Sequence, residues 1–485
     1  MKIIGWYNND LLNSDSRMKH LILFSTLFML ASAGFQEPGH RITVRFEGTQ
    51  NTEYYLAYHF GNRQYLKDTA YANSKGVAVF EGEEELDQGI YLVVLPDDRN
   101  MEVIVDENQH FEIHADPDDF IGTARFTGSP GNEVFYEYLK FIRRKNMQRQ
   151  EKEAQLQSPD TGQEERLELQ QELRQMDEEM REFQDKIIAE DPESLLSRIM
   201  MTQRDPDLPD PPVRADGSYD REAMYNIYTR HFFDNVDFSD QRMLYTPAYH
   251  GRLRLFFNNV LAQHPDSIIQ AADRVLEKSM ANEEVFRYTL WFLTNHAQSS
   301  RVMGADAAFV HLVDHYYLTG KATWVEEDRL EQLSERAEEL RPLLLGNIAP
   351  DIEVYDPEGN TVILHETEAD YLVLYFWESD CPFCVEAYPV LDKAVSELDN
   401  KKVKVFAINT ETNHERWLNA LEDYPDSWIH VNDTANTSGV FDKYQIYSIP
   451  KIFILDREKK IRAKEIGADQ VGNFIRQDMQ ERNRP

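Results

Sequence analysis

Hydrophobic and polar positions change their period twice along the chain, and each change marks a new kind of architecture. In residues 34–128 apolar and polar positions alternate. Arg41-Ile42-Thr43-Val44-Arg45-Phe46 does so strictly, as a strand with one buried face requires. Similar short stretches follow at 54–58, 77–80, 90–95, 101–105 and 111–114, separated by Gly, Asn and Asp turns. Short strands at regular spacing, with no helical pattern between them, predict an antiparallel β-sandwich.

Around Gly128-Ser129-Pro130-Gly131-Asn132 the period lengthens to that of a helix. Phe135, Tyr138, Leu139 and Ile142 open the first one. Leu169, Leu173, Met176, Met180, Phe183 and Ile187 then recur every three or four positions, a single apolar seam that needs a partner helix. That partner is either the same chain or a second copy, which makes self-association through this region one expectation. Asp191-Pro192 predicts a helix start, and the proline- and aspartate-rich stretch 203–219 predicts a loop. Helical patterning resumes at 225–233, 252–261, 267–278, 284–296, 307–317 and 326–340, so residues 129–345 read as an all-α domain.

Residues 346–485 combine both periods. A Pro-Glu-Gly-Asn turn separates two short strands within 351–364, and 371–377 is a continuous apolar run, as expected of a strand buried on both faces. Helix 384–398, strand 402–408, helices 415–421 and 438–444, strands 451–455 and 461–466, and helix 469–479 complete an α/β layer pattern.

Composition narrows the picture. A chain of 485 residues suggests three domains, and 51 basic against 86 acidic residues gives a net charge of −35, which disfavours nucleic acid and anionic lipid as partners. At the start, Met18-Lys19-His20, the apolar stretch 21–30 and Ala31-Ser32-Ala33 have the order of an export signal, preceded by an upstream extension, so 1–33 is set apart. The apolar stretch is short for a membrane span, so the chain is not expected to be an integral membrane protein.

The chain holds two cysteines, Cys381 and Cys384, three positions apart. Chance would give that spacing roughly once in 240 cases. No structural disulfide is possible elsewhere, and His365 and His414, each single, do not complete a zinc site with the pair. Neither a metal nor a cofactor is expected. Cys381 sits where a buried strand gives way to a helix, and there unpaired N–H groups and the helix dipole favour a thiolate. Cys381 is therefore the expected nucleophile and Cys384 the resolving thiol. Pro382 suits the first helical turn.

Cys381-Pro382-Phe383-Cys384 and its context resemble the thioredoxin family, more narrowly its exported TlpA/ResA-like branch. Phe376-Trp377 precedes the motif at the family spacing, and Pro389 follows where the family kinks its helix. Ile449-Pro450 stands at the cis-proline loop, and Ala349-Pro350-Asp351 matches the entry to the domain. The resemblance implies a thioredoxin fold and a thiol–disulfide oxidoreductase acting on protein thiols and disulfides with an unidentified redox partner. Trp377, Pro382, Phe383, Ile449 and Pro450 would form its substrate surface, where a cis bond at Pro450 turns the Ile449 backbone toward Cys381.

Two positions depart from the family. Tyr375 replaces the buried acid of thioredoxins, and Ala387 replaces a glutamate common in the branch, leaving Glu386, one step away, as candidate proton acceptor. The order of sandwich, helical and redox domains resembles envelope proteins of Bacteroidota and implies a periplasmic or envelope location. Two alternatives stand beside this. In a thiol peroxidase a threonine or serine usually takes the place of Glu378, and in an envelope scaffold the dithiol would be sensory or vestigial.

Overall fold

The computed structural model describes residues 39–398, 402–433 and 437–482, so the expected export signal lies outside the described residues. Eight strands come first: β1 (His40–Phe46), β2 (Glu53–Phe60), β3 (Arg63–Tyr71), β4 (Val77–Gly82), β5 (Gly89–Val94), β6 (Asn100–Val105), β7 (His110–Ala115) and, after the short helix α1 (Phe120–Thr123), β8 (Arg125–Thr127). They form two four-stranded sheets, ordered β4-β1-β7-β8 and β3-β2-β5-β6. In β1 the alternation has its expected effect, with Ile42, Val44 and Phe46 buried and Arg41 and Arg45 exposed.

The pairing is not wholly antiparallel. β1 runs parallel to β7, with Ile42 opposite Phe111. β7 follows two strands of the other sheet, and a strand returning from elsewhere is not bound to the antiparallel direction that a hairpin imposes.

The helices are α2 (Pro130–Gln157), α3 (Gln163–Glu190), α4 (Leu195–Gln203), α5 (Arg221–His231), α6 (Pro247–Leu255), α7 (Pro265–Ser279), α8 (Glu283–Ser299), α9 (Asp306–Leu312) and α10 (Glu327–Leu340). The apolar seam of α3 is met by α2 of the same chain. Phe183 stacks on Phe141 at 4.4 Å, and Lys145–Glu179, Arg149–Asp177 and Lys152–Glu172 pair across the hairpin. Asp191 ends α3 and does not start a helix. Ser194 takes the expected role, its hydroxyl accepting the Ser197 N–H at the start of α4.

Asn132 stitches α2 to the sheet below it. Its amide accepts the Ile104 N–H at 2.8 Å and donates to the Ile104 carbonyl at 2.7 Å. Sheets and helices share one hydrophobic cluster that runs from Ile42 to Ala337.

The last region is a seven-stranded sheet of order β10-β9-β13-β12-β11-β14-β15, built from β9 (Glu353–Tyr355), β10 (Thr361–Ile363), β11 (Tyr371–Trp377), β12 (Val403–Asn409), β13 (Ile429–Asn432), β14 (Lys451–Asp456) and β15 (Ile461–Lys464). Its helices are α11 (Pro382–Ser396), α12 (His414–Ala420), α13 (Val440–Tyr444) and α14 (Ala468–Arg482). β11 is buried along its whole length, parallel to β12 and antiparallel to β14. Val373, Tyr375 and Trp377 feed the core on one face, Leu372, Leu374 and Phe376 that on the other. Among the described residues, no helix is long and apolar enough to cross a membrane.

Candidate active site

β11 ends at Trp377, and the next four residues carry the chain to the top of α11. Cys381 is the N-cap of that helix: its backbone is extended (φ −82°, ψ 107°), and its sulfur accepts the Cys384 N–H at 3.1 Å. Pro382 occupies the first turn, where a missing N–H costs nothing. The two sulfurs are joined as a disulfide, with Cα atoms 5.2 Å apart.

The sulfurs differ in access. Cys384 is 0% exposed, whereas Cys381 lies only partly buried at the rim. Facing it, the Ile449 carbonyl lies 3.9 Å from the Cys381 sulfur, and the Ile449–Pro450 peptide is cis. Phe383, 70% exposed and two positions from Cys381, joins Pro382, Ile449 and Pro450 in an apolar collar at this opening. Pro382 is exposed, and Ile449 and Pro450 are half-buried.

Two expected site residues lie elsewhere. Trp377 is fully buried, its ring 4.1 Å from that of Tyr424, so it supports the site from beneath and presents nothing to a docking chain. Glu386 is exposed. It follows Cys384 by two positions, a rotation of about 200° around a helix, so it faces solvent while the thiol faces the core. That geometry does not suit a proton acceptor for Cys384.

Tyr375, one of the departures from the family, contributes a hydroxyl in place of a carboxylate. It is buried and donates to the Cys384 carbonyl at 2.9 Å, tying α11 to the central strand. Burial pushes this hydroxyl far above the usual tyrosine range, with Tyr424 adding to the effect, so it stays a neutral donor.

Sequence reasoning missed the residues that hold the loop before Cys381. Glu411, buried, accepts the Ser379 N–H at 3.3 Å and the Ser379 hydroxyl, and pairs with the Arg416 guanidinium at 2.9 Å. Arg416 also pairs with Asp380. Glu378 accepts the Thr410 hydroxyl at 2.9 Å. Thr410 and Glu411 directly follow β12, the parallel neighbour of β11, and the carboxyl ends of adjacent parallel strands are where α/β sheets place their sites. That position was the one available signal.

Taken together, a partly exposed sulfur at a helix N-terminus, a buried second sulfur and an apolar collar can perform nucleophilic exchange at sulfur.

Comparison with known proteins finds matches for two parts of the chain. Residues 345–464 match the AhpC/TSA family, and residues 40–135 match DUF4369, a domain of unknown function. The thiol-disulfide oxidoreductase ResA of Bacillus cereus is 23% identical over 123 residues, 25% of this chain and 70% of its own length. A putative peroxiredoxin, ycf42 of Pyropia yezoensis, is 35% identical over 83 residues, 16% of this chain and 41% of its own. Among solved structures, a domain of a possible thiol-disulfide isomerase from Cytophaga hutchinsonii is 32% identical, spanning 29% of this chain and 96% of that one, with a TM-score of 0.27.

Proposed function

Because the carboxy-terminal domain belongs to the TlpA/ResA-like branch of the thioredoxin family and is a thiol–disulfide oxidoreductase, we propose that the chain exchanges disulfides with exported proteins in the cell envelope. In the reducing direction the Cys381 thiolate attacks one sulfur of a substrate disulfide. An S–S bond forms between enzyme and substrate, and the other substrate sulfur leaves as a thiolate that takes up a proton. The Cys384 thiol then loses its proton and attacks the Cys381 sulfur, which releases the second substrate thiol. The substrate has gained two electrons and two protons, and the dithiol has become a disulfide. Run backwards, the same steps oxidise a substrate dithiol.

The observation that carries this is the unequal access of the two sulfurs: one at the rim on a helix N-terminus, the other sealed one turn below. Pro382, Phe383, Ile449 and Pro450 surround the rim sulfur and supply the surface on which a substrate chain docks. The export pattern within residues 18–33 supports an envelope location, where disulfides persist. A separate dithiol protein of that compartment completes the cycle as redox partner.

Insulin reduction in dithiothreitol tests the proposal. The full chain should accelerate insulin precipitation, and Cys381→Ser should abolish the acceleration; equal rates with and without the chain would refute it. Peroxide reduction is the second reading, prompted by the likeness to a putative peroxiredoxin. Against it, Glu378 places a carboxylate where such enzymes usually carry a hydroxyl donor. Stopped-flow mixing with hydrogen peroxide separates the two, and slow consumption is the expected result.

A further inference from the structure

Away from the dithiol, a cavity of about 450 Å³ opens where the turn between β2 and β3 meets α8 and α10. Buried side chains close its floor: Tyr288, Leu333, and Tyr317, whose hydroxyl bonds to that of Thr294 at 3.0 Å. Trp291, 41% exposed, and Trp324 supply flat apolar walls. Three guanidinium groups, Arg63, Arg287 and Arg329, contribute to the lining.

The hairpin turn is fixed in place. Gly61 has a left-handed backbone (φ 58°), and a Cβ there would lie 2.1 Å from the Tyr288 hydroxyl, so glycine alone lets the turn sit this close to α8. The Gly61 N–H donates to the Leu244 carbonyl at 2.7 Å. Arg63 is thus brought to the cavity by a turn anchored on the helical region.

The local charge runs against that of the chain. Acids outnumber bases 86 to 51 overall, yet Glu284 is the one carboxylate lining this cavity beside three arginines, and it pairs with Arg287 at 3.3 Å. The Arg287 guanidinium also lies 5.2 Å from the centre of the Trp324 ring. Among the described residues neither Arg63 nor Arg329 has a carboxylate within ion-pair distance, and Arg329 bonds to the amide oxygen of Gln332 at 3.0 Å. Two guanidinium groups with no carboxylate in ion-pair distance, beside aromatic walls in a strongly acidic chain, are complementary to an anion with a flat apolar body. A guanidinium takes a carboxylate bidentately, and ring faces favour stacking. The volume suits a small molecule.

We propose that this cavity binds a small aromatic carboxylate, its ring against the tryptophan walls and its carboxylate at Arg63 and Arg329. The site is independent of the redox chemistry. Isothermal titration of the full chain with 2-naphthoate tests it, with 2-naphthalenemethanol as the uncharged control. The expected result is saturable binding of one naphthoate per chain, at least tenfold weaker for the alcohol. An R63Q/R329Q double variant should likewise bind naphthoate at least tenfold more weakly while reducing insulin at the unaltered rate. Both arginines are exposed, so the variant should fold. No saturable heat with naphthoate, equal affinity for the alcohol, or undiminished binding by the double variant would each overturn the proposal. So would a dimer in sedimentation velocity that the double variant dissolves, because the arginines would then serve a second copy of the chain.

Discussion

The Cys381 sulfur lies between opposing fields. The Cys384 N–H and the end of α11 favour a thiolate, whereas the carboxylates of Glu378, Asp380 and Glu411, on or against the loop leading to Cys381, oppose one. Arg416 pairs with Asp380 and Glu411 and blunts that opposition. In the reduced protein Cys381 should therefore titrate below the free-thiol value of about 8.5, and Arg416→Gln should move it upward. Thiolate absorbance at 240 nm reads both, and a value at or above that of a free thiol would contradict the helix-terminus argument. Tyr375→Phe should cost about 1 kcal/mol in urea unfolding, because the Cys384 carbonyl loses a buried donor. At this scale the two cysteines, their place at a helix start and their unequal exposure were legible, since residue type, spacing and the helix start determine them. The roles of Tyr375, Glu386 and Glu411 were not. Each depends on which way a side chain faces once α11 has packed on the sheet, and a carboxylate two residues from a buried thiol is adjacent in sequence and opposite in space.

The elements that carry the site, β11, α11 and β14, announced themselves through long apolar runs and clear periodicity. β3 and β13 did not. β3 is an edge strand whose first five residues are exposed, so it lacks the alternation that a buried face imposes. β13 has four residues, and its polar His430 and Asn432 hide a strand that lies between β9 and β12. The closing helix α14 offers a test of electrostatics at this scale. Burial pushes the Asp478 carboxyl up, but hydrogen bonds from Arg462 and Tyr371, with the charges of Arg462 and Arg482, outweigh it and hold the carboxyl below its usual range. A carboxyl lower in the folded than in the unfolded state stabilises above its unfolded value, near 3.9, and loses that contribution as pH falls through its folded value. Asp478→Asn should therefore be less stable than the parent at neutral pH, and the gap should close as pH falls below about 4. Urea unfolding at pH 7, 5 and 3 measures it. A gap independent of pH would mean that packing, and not charge, is what Asp478 provides.

For the whole molecule, polar contacts among the described residues help tie the helical and redox regions together. The Lys464 ammonium donates to the Leu343 carbonyl at 2.7 Å and pairs with Asp306, and Arg336 donates to the Gln445 side chain. Lys464→Gln removes a nearly buried charge opposite Asp306, at a cost of roughly 1 to 3 kcal/mol, and should speed proteolysis between residues 340 and 350 while leaving insulin reduction intact. None of this junction was legible, because pairs more than a hundred residues apart leave no trace in local periodicity. The three successive patterns were legible, whereas the core shared by the first two regions was not. That core makes the sheets and helices one body, to which the redox domain is attached.

The central claim is that Cys381 attacks and Cys384 resolves. Reduced Cys384→Ser chain, mixed with a disulfide-bonded protein and analysed by mass spectrometry after alkylation, tests it most directly. A stable mixed disulfide at Cys381 should accumulate, while Cys381→Ser, with its remaining thiol sealed in the core, should trap almost none. Equal trapping by the two variants, or none by either, would contradict the account.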